Sequence, residues 1–360
     1  MKIERRVVYA LVAAVLLALV VYIFRTRIHF DWTTFWSQLR HADPKRLLIA
    51  TLLIYSTYIL RSIRWAVFVA PVKRIPPFTL VGTQFVGFSA VAVFGRLADL
   101  ARPYLVARRI DLSLSSQMAV YTVERMFDLG AAALIFSSAL LFAPKNMPHH
   151  EVFLKAGPVS LGITAAAALI AILIRVAGPS VAAFIRKASA GLAPELGESV
   201  ATKVLEFRDG LNAVGSARGL LLSLVISLTM WGLIGLAYLE TTHAFPQTPE
   251  LAATTYSSVM LLMAASIGGS LLQLPVLGWF TQIAVTATAM HSFYGAPIEA
   301  ATACGGALLF VTFLSIIPMG LIFAKLEGTS LKAAAKSSKA DQVAIKTHTD
   351  ARTAISGGNS

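Results

Sequence analysis

The chain has 360 residues, of which 56% are hydrophobic and 14% are charged, and its formal net charge is +13. Apolar runs of about 20 residues recur along most of it, and each is long enough to cross a hydrocarbon layer of about 30 Å. The composition therefore excludes an ordinary soluble enzyme and predicts an all-α polytopic membrane protein. The basic residues lie between the apolar runs rather than on one soluble face, which argues against nucleic acid as a partner.

Six apolar runs are long and uninterrupted enough to be transmembrane helices: 7–24, 47–69, 118–143, 157–176, 217–240 and 299–324. The first run has a basic start and no small-residue cleavage site after it, so we interpret it as an uncleaved signal anchor. Two further stretches, 78–94 and 251–291, are interrupted or bordered by Gly, Pro or charged residues. Counting these two, the sequence predicts six to eight transmembrane helices.

The distribution of Lys and Arg indicates how the two interrupted stretches fold. Of the 31 basic residues, three lie within spans, and the rest divide almost evenly between the two sides if every stretch crosses once. If 78–110 and 251–291 are re-entrant hairpins, most of them lie on the cytoplasmic side, as the positive-inside rule requires. We therefore predict six crossings, two re-entrant hairpins and both termini on the cytoplasmic side of the cell inner membrane.

In the hairpin topology, each half of the chain consists of two spans, a hairpin and a third span, in that order. The second half has the opposite orientation in the membrane. Inverted repeats with interrupted helices at membrane depth are typical of secondary transporters. The sequence shows no repeat at the level of residues, so the inverted repeat is a hypothesis about topology.

The predicted transmembrane domain covers residues 1–327. Within it, 178–218 is polar enough to leave the bilayer but carries apolar residues at helical spacing. This pattern predicts a cytoplasmic segment, either an amphipathic helix at the membrane interface or a connector helix packed on the bundle. Residues 328–360 are rich in Ser, Thr, Lys and Ala without apolar periodicity, and we expect a disordered cytoplasmic tail.

Charged residues within apolar segments are costly and mark candidate functional sites. A helix over 118–143 places Glu124 and Asp128 on one face, with Arg125 beside the first of them. A helix near residue 100 places Asp99 and Arg102 together. Guanidinium forks match phosphate, so we predict a lipid-headgroup site formed by Arg96, Asp99, Arg102, Glu124, Arg125 and Asp128.

Two alternatives concern the charged residues. The first is that the carboxylates and arginines neutralise each other and brace the hairpin against the next span. The second concerns Arg61, Arg64 and Trp65, which end the second span. We interpret these three as interfacial residues whose side chains reach the water layer.

Three motifs resemble the transmembrane flippase-like region of lysylphosphatidylglycerol synthases and its stand-alone relatives: Arg61-Ser-Ile-Arg-Trp65, Gly95-Arg-Leu-Ala-Asp-Leu-Ala-Arg-Pro-Tyr-Leu105 and Glu124-Arg-Met-Phe-Asp128. Their order and spacing match that family. Asp99 stands where the family usually has glutamate. The family's second hairpin is typically glycine-rich and ends with a glutamate, whereas the candidate residues of that hairpin in this chain are Pro275, Gly278 and Gln282.

The resemblance implies a flippase that moves a phosphate-bearing or otherwise polar-headed lipid between leaflets. The expected partners are a membrane lipid and a lipid-synthesising enzyme, because residues 328–360 are too few for the soluble synthase domain of the fused members. We expect no catalytic residues, cofactor, metal ion or ATP hydrolysis, since no phosphate loop or metal-ligand spacing is present. The alternatives are a membrane-embedded enzyme or an accessory subunit acting on lipid-linked sugars, hopanoids or polyprenyl lipids.

Overall fold

The computed structural model describes residues 30–142, 150–191, 193–212, 215–269 and 277–329. These residues form helices joined by turns, and no β-strand occurs among them. The all-α class predicted from the composition is confirmed. The predicted signal anchor and nearly all of the predicted tail lie outside the described residues.

The helices are numbered in chain order. The first half contains α1 (Trp32–Arg40), α2 (Pro44–Val69), α3 (Val81–Phe94), α4 (Ala101–Ile110) and α5 (Leu114–Leu141). A long connection follows as α6 (His150–Ser189) and α7 (Pro194–Asn212). The second half contains α8 (Ala217–His243), α9 (Pro249–Ala252), α10 (Tyr256–Gly269), α11 (Leu277–Tyr294), α12 (Ile298–Leu309) and α13 (Ile316–Leu326).

Four helical stretches are long and apolar enough to span a membrane: Pro44–Val69, Gly157–Ser189, Ala217–His243 and Ile298–Leu326. The last of these is α12 and α13 joined by the π-helical turn Phe310–Leu314. The helix α5 is 28 residues long but carries several charges. The chain is therefore a multi-pass membrane protein, as predicted.

The helix α6 differs from its predicted boundary. The apolar run was expected to end at residue 176, but the helix continues to Ser189 past a break at Ala177, which is followed by Pro179. The helix α7 packs against this last part of α6, and Arg186 and Glu198 form an exposed ion pair between them at 2.7 Å. Apolar residues of α7 remain exposed, so both alternatives for 178–218 keep their support.

In each of the two interrupted segments, two helices pack against each other: α3 against α4, and α10 against α11. We call each of these helix pairs a hairpin. Gly95 ends α3 with a φ of 71°, which favours glycine, and the 3₁₀ turn Gly95–Ala98 leads into α4. The helices α3 and α10 have 14 residues each. At 1.5 Å per residue such a helix is about 21 Å long, which is shorter than a hydrocarbon layer of about 30 Å.

Hydrogen bonds show that the two ends of each hairpin lie together. Lys73 Nζ, just before α3, donates to the carbonyl oxygen of Ile110 at the end of α4 at 2.7 Å. The hydroxyl of Tyr294, at the end of α11, donates to the carbonyl oxygen of Ser258 near the start of α10 at 2.7 Å. Each hairpin therefore returns to the end of the bundle from which it started.

The long helices α2 and α8 pack along each other in antiparallel orientation. Arg46, near the start of α2, contacts Glu240 near the end of α8 at 2.8 Å, whereas Arg64 contacts Ser227 at 2.6 Å. The two hairpins consequently start from opposite ends of the bundle. The hairpin helix α3 packs on α13, and α10 packs on α5, which is the exchange that an inverted repeat predicts. The repeat itself and the re-entry of the hairpins into a bilayer stay predictions.

Candidate lipid-headgroup site

Five charged side chains from α2, α4 and α5 meet inside the bundle. They form what we call the buried charge cluster: Arg61, Arg64, Arg102, Glu124 and Asp128. Each of these residues is exposed over 8% of its surface or less. Three guanidinium groups face two carboxylates, so the cluster has a formal excess of one positive charge.

Glu124 is the centre of the buried charge cluster. Arg102 Nη2 donates to its two carboxylate oxygens at 2.8 and 2.7 Å. Arg64 Nη2 donates to it at 2.8 Å, and Arg61 Nη1 at 3.4 Å. One carboxylate therefore joins α5 to both α2 and α4.

Asp128 lies one turn after Glu124 on the same face of α5, as the spacing predicted. It accepts hydrogen bonds from Arg64 Nη1 at 2.7 Å and from Arg61 Nη1 at 3.1 Å. Isolated charges are unfavourable in the bilayer interior, so these pairs stabilise one another. The contacts are those expected of a brace between helices.

The surroundings of Arg102 are aromatic on several sides. Its guanidinium carbon lies 4.2 Å from the ring centroid of Phe88, 5.4 Å from that of Trp65 and 5.7 Å from that of Tyr121. Gln84 Oε1 accepts hydrogen bonds from Arg102 Nε and Nη2 at 3.3 and 3.1 Å. Both the aromatic faces and the amide oxygen favour a cation at this position.

Gly87 gives Arg102 the room to lie against α3. A Cβ at this position would fall 2.5 Å from Arg102 Cγ and 3.4 Å from Arg102 Cα. We expect Gly87→Ala to displace the guanidinium from Glu124 and to lower the thermal unfolding midpoint of the detergent-purified protein. The control is Gly130→Ala on α5, where an added Cβ meets no atom within 4 Å. Equal midpoints for the two variants would contradict the close packing of Arg102 on α3.

The buried charge cluster has more hydrogen-bond donors than acceptors. Within the described part of the chain, five buried nitrogens in it or beside it lack an acceptor: Arg61 Nε, Arg64 Nε, Arg102 Nη1, Gln84 Nε2 and Gln117 Nε2. The amide orientations are fixed because Gln84 Oε1 accepts from Arg102 and Gln117 Oε1 accepts from Trp65 at 2.9 Å. All five atoms are donors, so a ligand that offers only acceptors and negative charge complements them.

A second charged group lies on a neighbouring face of α5, and we call it the outer charge pair. It consists of Arg125 and Asp99, 3.7 Å apart, with side chains 39% and 38% exposed. The hydroxyl of Tyr121 donates to Asp99 at 2.6 Å, and its ring lies 4.9 Å below the Arg125 guanidinium. Because the same ring also faces Arg102, Tyr121 connects the outer charge pair with the buried charge cluster.

The structure divides the predicted site residues between these two groups. Arg102, Glu124 and Asp128 lie in the buried charge cluster, and Asp99 and Arg125 form the outer charge pair. The side chain of Arg96 lies outside the described part of the structure. The expectation that one helix presents Asp99 and Arg102 together is wrong, because α4 begins only at Ala101 and Asp99 precedes it.

The interfacial interpretation of Arg61, Arg64 and Trp65 is also wrong. These residues are exposed over 8%, 0% and 1% of their surfaces. The reason is that the α3–α4 hairpin packs over the end of α2, so the side chains face the bundle. The sequence contained an indication of this burial. Arg61 and Arg64 are three residues apart and share a helix face, and they can pair with Glu124 and Asp128, which are four residues apart on another helix.

The candidate residues of the second hairpin join a group without charges. Gln282 Nε2 donates to Ser266 Oγ at 3.1 Å, and the hydroxyl of Tyr238 donates to the same oxygen at 2.9 Å. Gly278 is buried near the start of α11, and Pro275 lies outside the described residues. Among the side chains that the structure describes, no group of three or more His, Cys, Asp or Glu is placed to hold a metal ion.

A family model described as lysylphosphatidylglycerol synthase TM region matches residues 7–321. The match extends over both halves of the bundle and includes the helices that carry the two charged groups. The resemblance inferred from three motifs is thereby confirmed. No curated protein matches the chain.

Proposed function

The chain belongs to the lysylphosphatidylglycerol synthase transmembrane-region family, and from that premise we propose that it moves a lipid with a phosphate-bearing or otherwise polar headgroup across the cytoplasmic membrane. The observation that carries the proposal is the surplus of donors in the buried charge cluster. A phosphate group supplies acceptors and negative charge, and arginine binds it through parallel N–H donors.

The outer charge pair is the proposed entrance for the headgroup. Arg125 lies about 16 Å from the start of α5 at 1.5 Å per residue. We propose that α5 crosses the bilayer, which would place Arg125 inside the hydrocarbon layer. An arginine exposed to lipid tails at that depth is costly, so its exposed side favours a water-filled recess. The long 3.7 Å contact with Asp99 leaves Arg125 available to a phosphate.

From the entrance the phosphate passes to Arg102. The ring of Tyr121 separates the Arg125 and Arg102 guanidinium groups and lies within 5.7 Å of both. In the proposed mechanism the phosphate takes the place of Glu124 at Arg102, while Glu124 keeps its contacts with α2. Arg102 thus exchanges one anionic partner for another, and the lipid tails remain in the bilayer.

The proposed orientation of the chain rests on the charges at one end of the bundle. The end where α3 begins and α4 ends carries Lys73, Arg74, Arg108 and Arg109. The positive-inside rule favours the cytoplasm for this end of an inner-membrane protein, with both termini on the same side. A lipid-synthesising enzyme that supplies the substrate is the partner we propose.

Transport is favoured over catalysis by the state of the carboxylates. A general base needs a carboxylate within reach of a proton on the substrate. Glu124 and Asp128 instead accept hydrogen bonds from two or three arginines each. We therefore propose a non-enzymatic role for the charged residues.

The proposal is tested with the full chain in liposomes that contain a phospholipid labelled on one acyl chain. A membrane-impermeant reductant destroys label in the outer leaflet only, so the inner share stays protected in vesicles without protein. With the protein we expect nearly all label to become accessible. In parallel liposomes without reductant we expect the recovered lipid to be chemically unchanged. A protected inner share would overturn transport, and a changed lipid would indicate an enzyme.

A further inference from the structure

One face of α8 carries polar side chains along most of the helix. Ser223, Ser227, Trp231 and Tyr238 are separated by four, four and seven residues, which places them within a narrow sector of the helix. Arg64 Nη1 donates to Ser227 Oγ at 2.6 Å, so this face contacts the buried charge cluster at Ser227. At Tyr238 it reaches the uncharged group formed with Ser266 and Gln282.

Two side chains on this face have buried polar atoms without a partner. Ser223 Oγ and Trp231 Nε1 make no hydrogen bond in the described part of the chain. Buried polar groups are normally paired, and an unpaired one is unfavourable. Trp231 Nε1 can only donate, so a hydroxyl or ether oxygen of a ligand suits it.

A cationic headgroup needs a free carboxylate, and the carboxylates of the two charged groups and of α8 all have partners. Glu124 and Asp128 are held by arginines, and Asp99 is held by Tyr121 and Arg125. Glu240, at the far end of α8, contacts Arg46 at 2.8 Å. Each of these carboxylates already has a partner, and hydroxyl and amide groups complement an uncharged polar ligand better than an amine.

The spacing along α8 matches a headgroup larger than phosphate. At 1.5 Å per residue, Trp231 lies about 6 Å beyond Ser227, and Tyr238 lies about 16 Å beyond it. A ring attached to a phosphate beside Arg64, which contacts Ser227, has the length to reach Trp231. A chain of two or more rings reaches Tyr238.

We infer that this face of α8 binds the uncharged, hydroxyl-rich part of the headgroup, so the substrate class is a phosphate-linked sugar or polyol lipid rather than an aminoacylated one. The inference rests on the proposed transport function and adds the chemistry of the substrate. Trp231 donates to the first ring, and Tyr238 with Ser266 and Gln282 contacts more distant hydroxyls.

The test compares acyl-labelled phosphatidylinositol, phosphatidic acid and phosphatidylethanolamine in the same liposomes. We expect phosphatidylinositol to cross several-fold faster than phosphatidylethanolamine. Trp231→Phe, which removes the donor and keeps an aromatic ring, should slow phosphatidylinositol by about fivefold, the effect of one lost hydrogen bond. Tyr238→Phe should act less on this single-ring probe.

The phosphatidic acid rate identifies a merely structural effect. It should stay unchanged in Trp231→Phe, because this probe has no ring to contact α8. The matched control is Trp36→Phe, whose side chain lies on α1 and is largely exposed. The inference would be overturned, and the proposed transport function kept, if Trp231→Phe slowed both probes equally. The same holds if phosphatidylethanolamine crossed as fast as phosphatidylinositol. Crossing of none of the three probes would overturn the proposed function as well.

Discussion

Glu124→Gln is expected to destabilise the folded protein severely. The carboxylate accepts hydrogen bonds from three arginines, and the substitution removes its charge while the guanidinium groups stay buried. Asp128 is then the one carboxylate left in the cluster, and it contacts Arg61 and Arg64. Removing one partner of a buried ion pair typically costs about 3–5 kcal/mol, because the other charge remains without compensation.

The midpoint of unfolding is measured with a thiol-reactive dye on the detergent-purified protein. Cys304 is the only cysteine of the chain and is buried, so it reacts when the bundle opens. The matched control is Glu198→Gln, which removes a carboxylate from an exposed arginine pair and should leave the midpoint unchanged. Similar midpoints for the two variants would contradict the central role of Glu124 in packing α5 against α2 and α4.

Arg125→Ala is expected to reduce lipid crossing by about tenfold or more, as loss of a charge-assisted hydrogen bond to phosphate implies. The effect on folding should be small, because Arg125 is half-exposed and contacts Asp99 only at 3.7 Å. We therefore expect Arg125→Ala to lower the rate of lipid crossing and to leave the unfolding midpoint unchanged. Glu124→Gln is expected to affect both.

The measurement for Arg125→Ala is the initial rate of probe crossing at equal amounts of folded protein in the liposomes. Arg186→Ala is the control, since Arg186 also belongs to an exposed ion pair but lies far from α5 in the chain, at the end of α6. If crossing persists in Arg125→Ala, the outer charge pair is not the entrance. If the midpoint falls as far as in Glu124→Gln, Arg125 acts as a brace.

The sequence predicted the fold class because apolar length and charge distribution are properties of single segments. It also predicted that Glu124 and Asp128 share a face, which follows from helical periodicity alone. The charged residues Asp99, Arg102, Glu124, Arg125 and Asp128 were predicted to form a site for a physical reason: a charge inside a membrane needs a partner.

The errors concern contacts between segments. Arg61 and Arg64 resemble interfacial residues because they are near the end of an apolar run. Only the packing of the α3–α4 hairpin over that end shows that they are buried. Asp99 lies in the outer charge pair and Arg102 in the buried charge cluster because a 3₁₀ turn precedes α4. The periodicity of a single sequence does not reveal such a turn.

The donor surplus was equally out of reach of the sequence. Gln84 and Gln117 are ordinary polar residues until the structure pairs their amide oxygens with Arg102 and Trp65 and leaves their amide nitrogens without an acceptor. In the sequence Trp231 is one more apolar residue of a predicted span. Only the packing of α8 shows that its Nε1 lacks a hydrogen-bond partner. Whether a buried polar group has a hydrogen-bond partner depends on the packing of the whole bundle.

The central claim, that the chain carries lipids by their phosphate, is tested most directly by comparing two probes that both carry a ring of hydroxyls. Acyl-labelled phosphatidylinositol contains a phosphate, whereas acyl-labelled galactosyl diacylglycerol does not. We predict that liposomes with the protein move the first probe rapidly and leave the second in its original leaflet. Equal rates for the two probes would contradict a phosphate-binding role for the arginines.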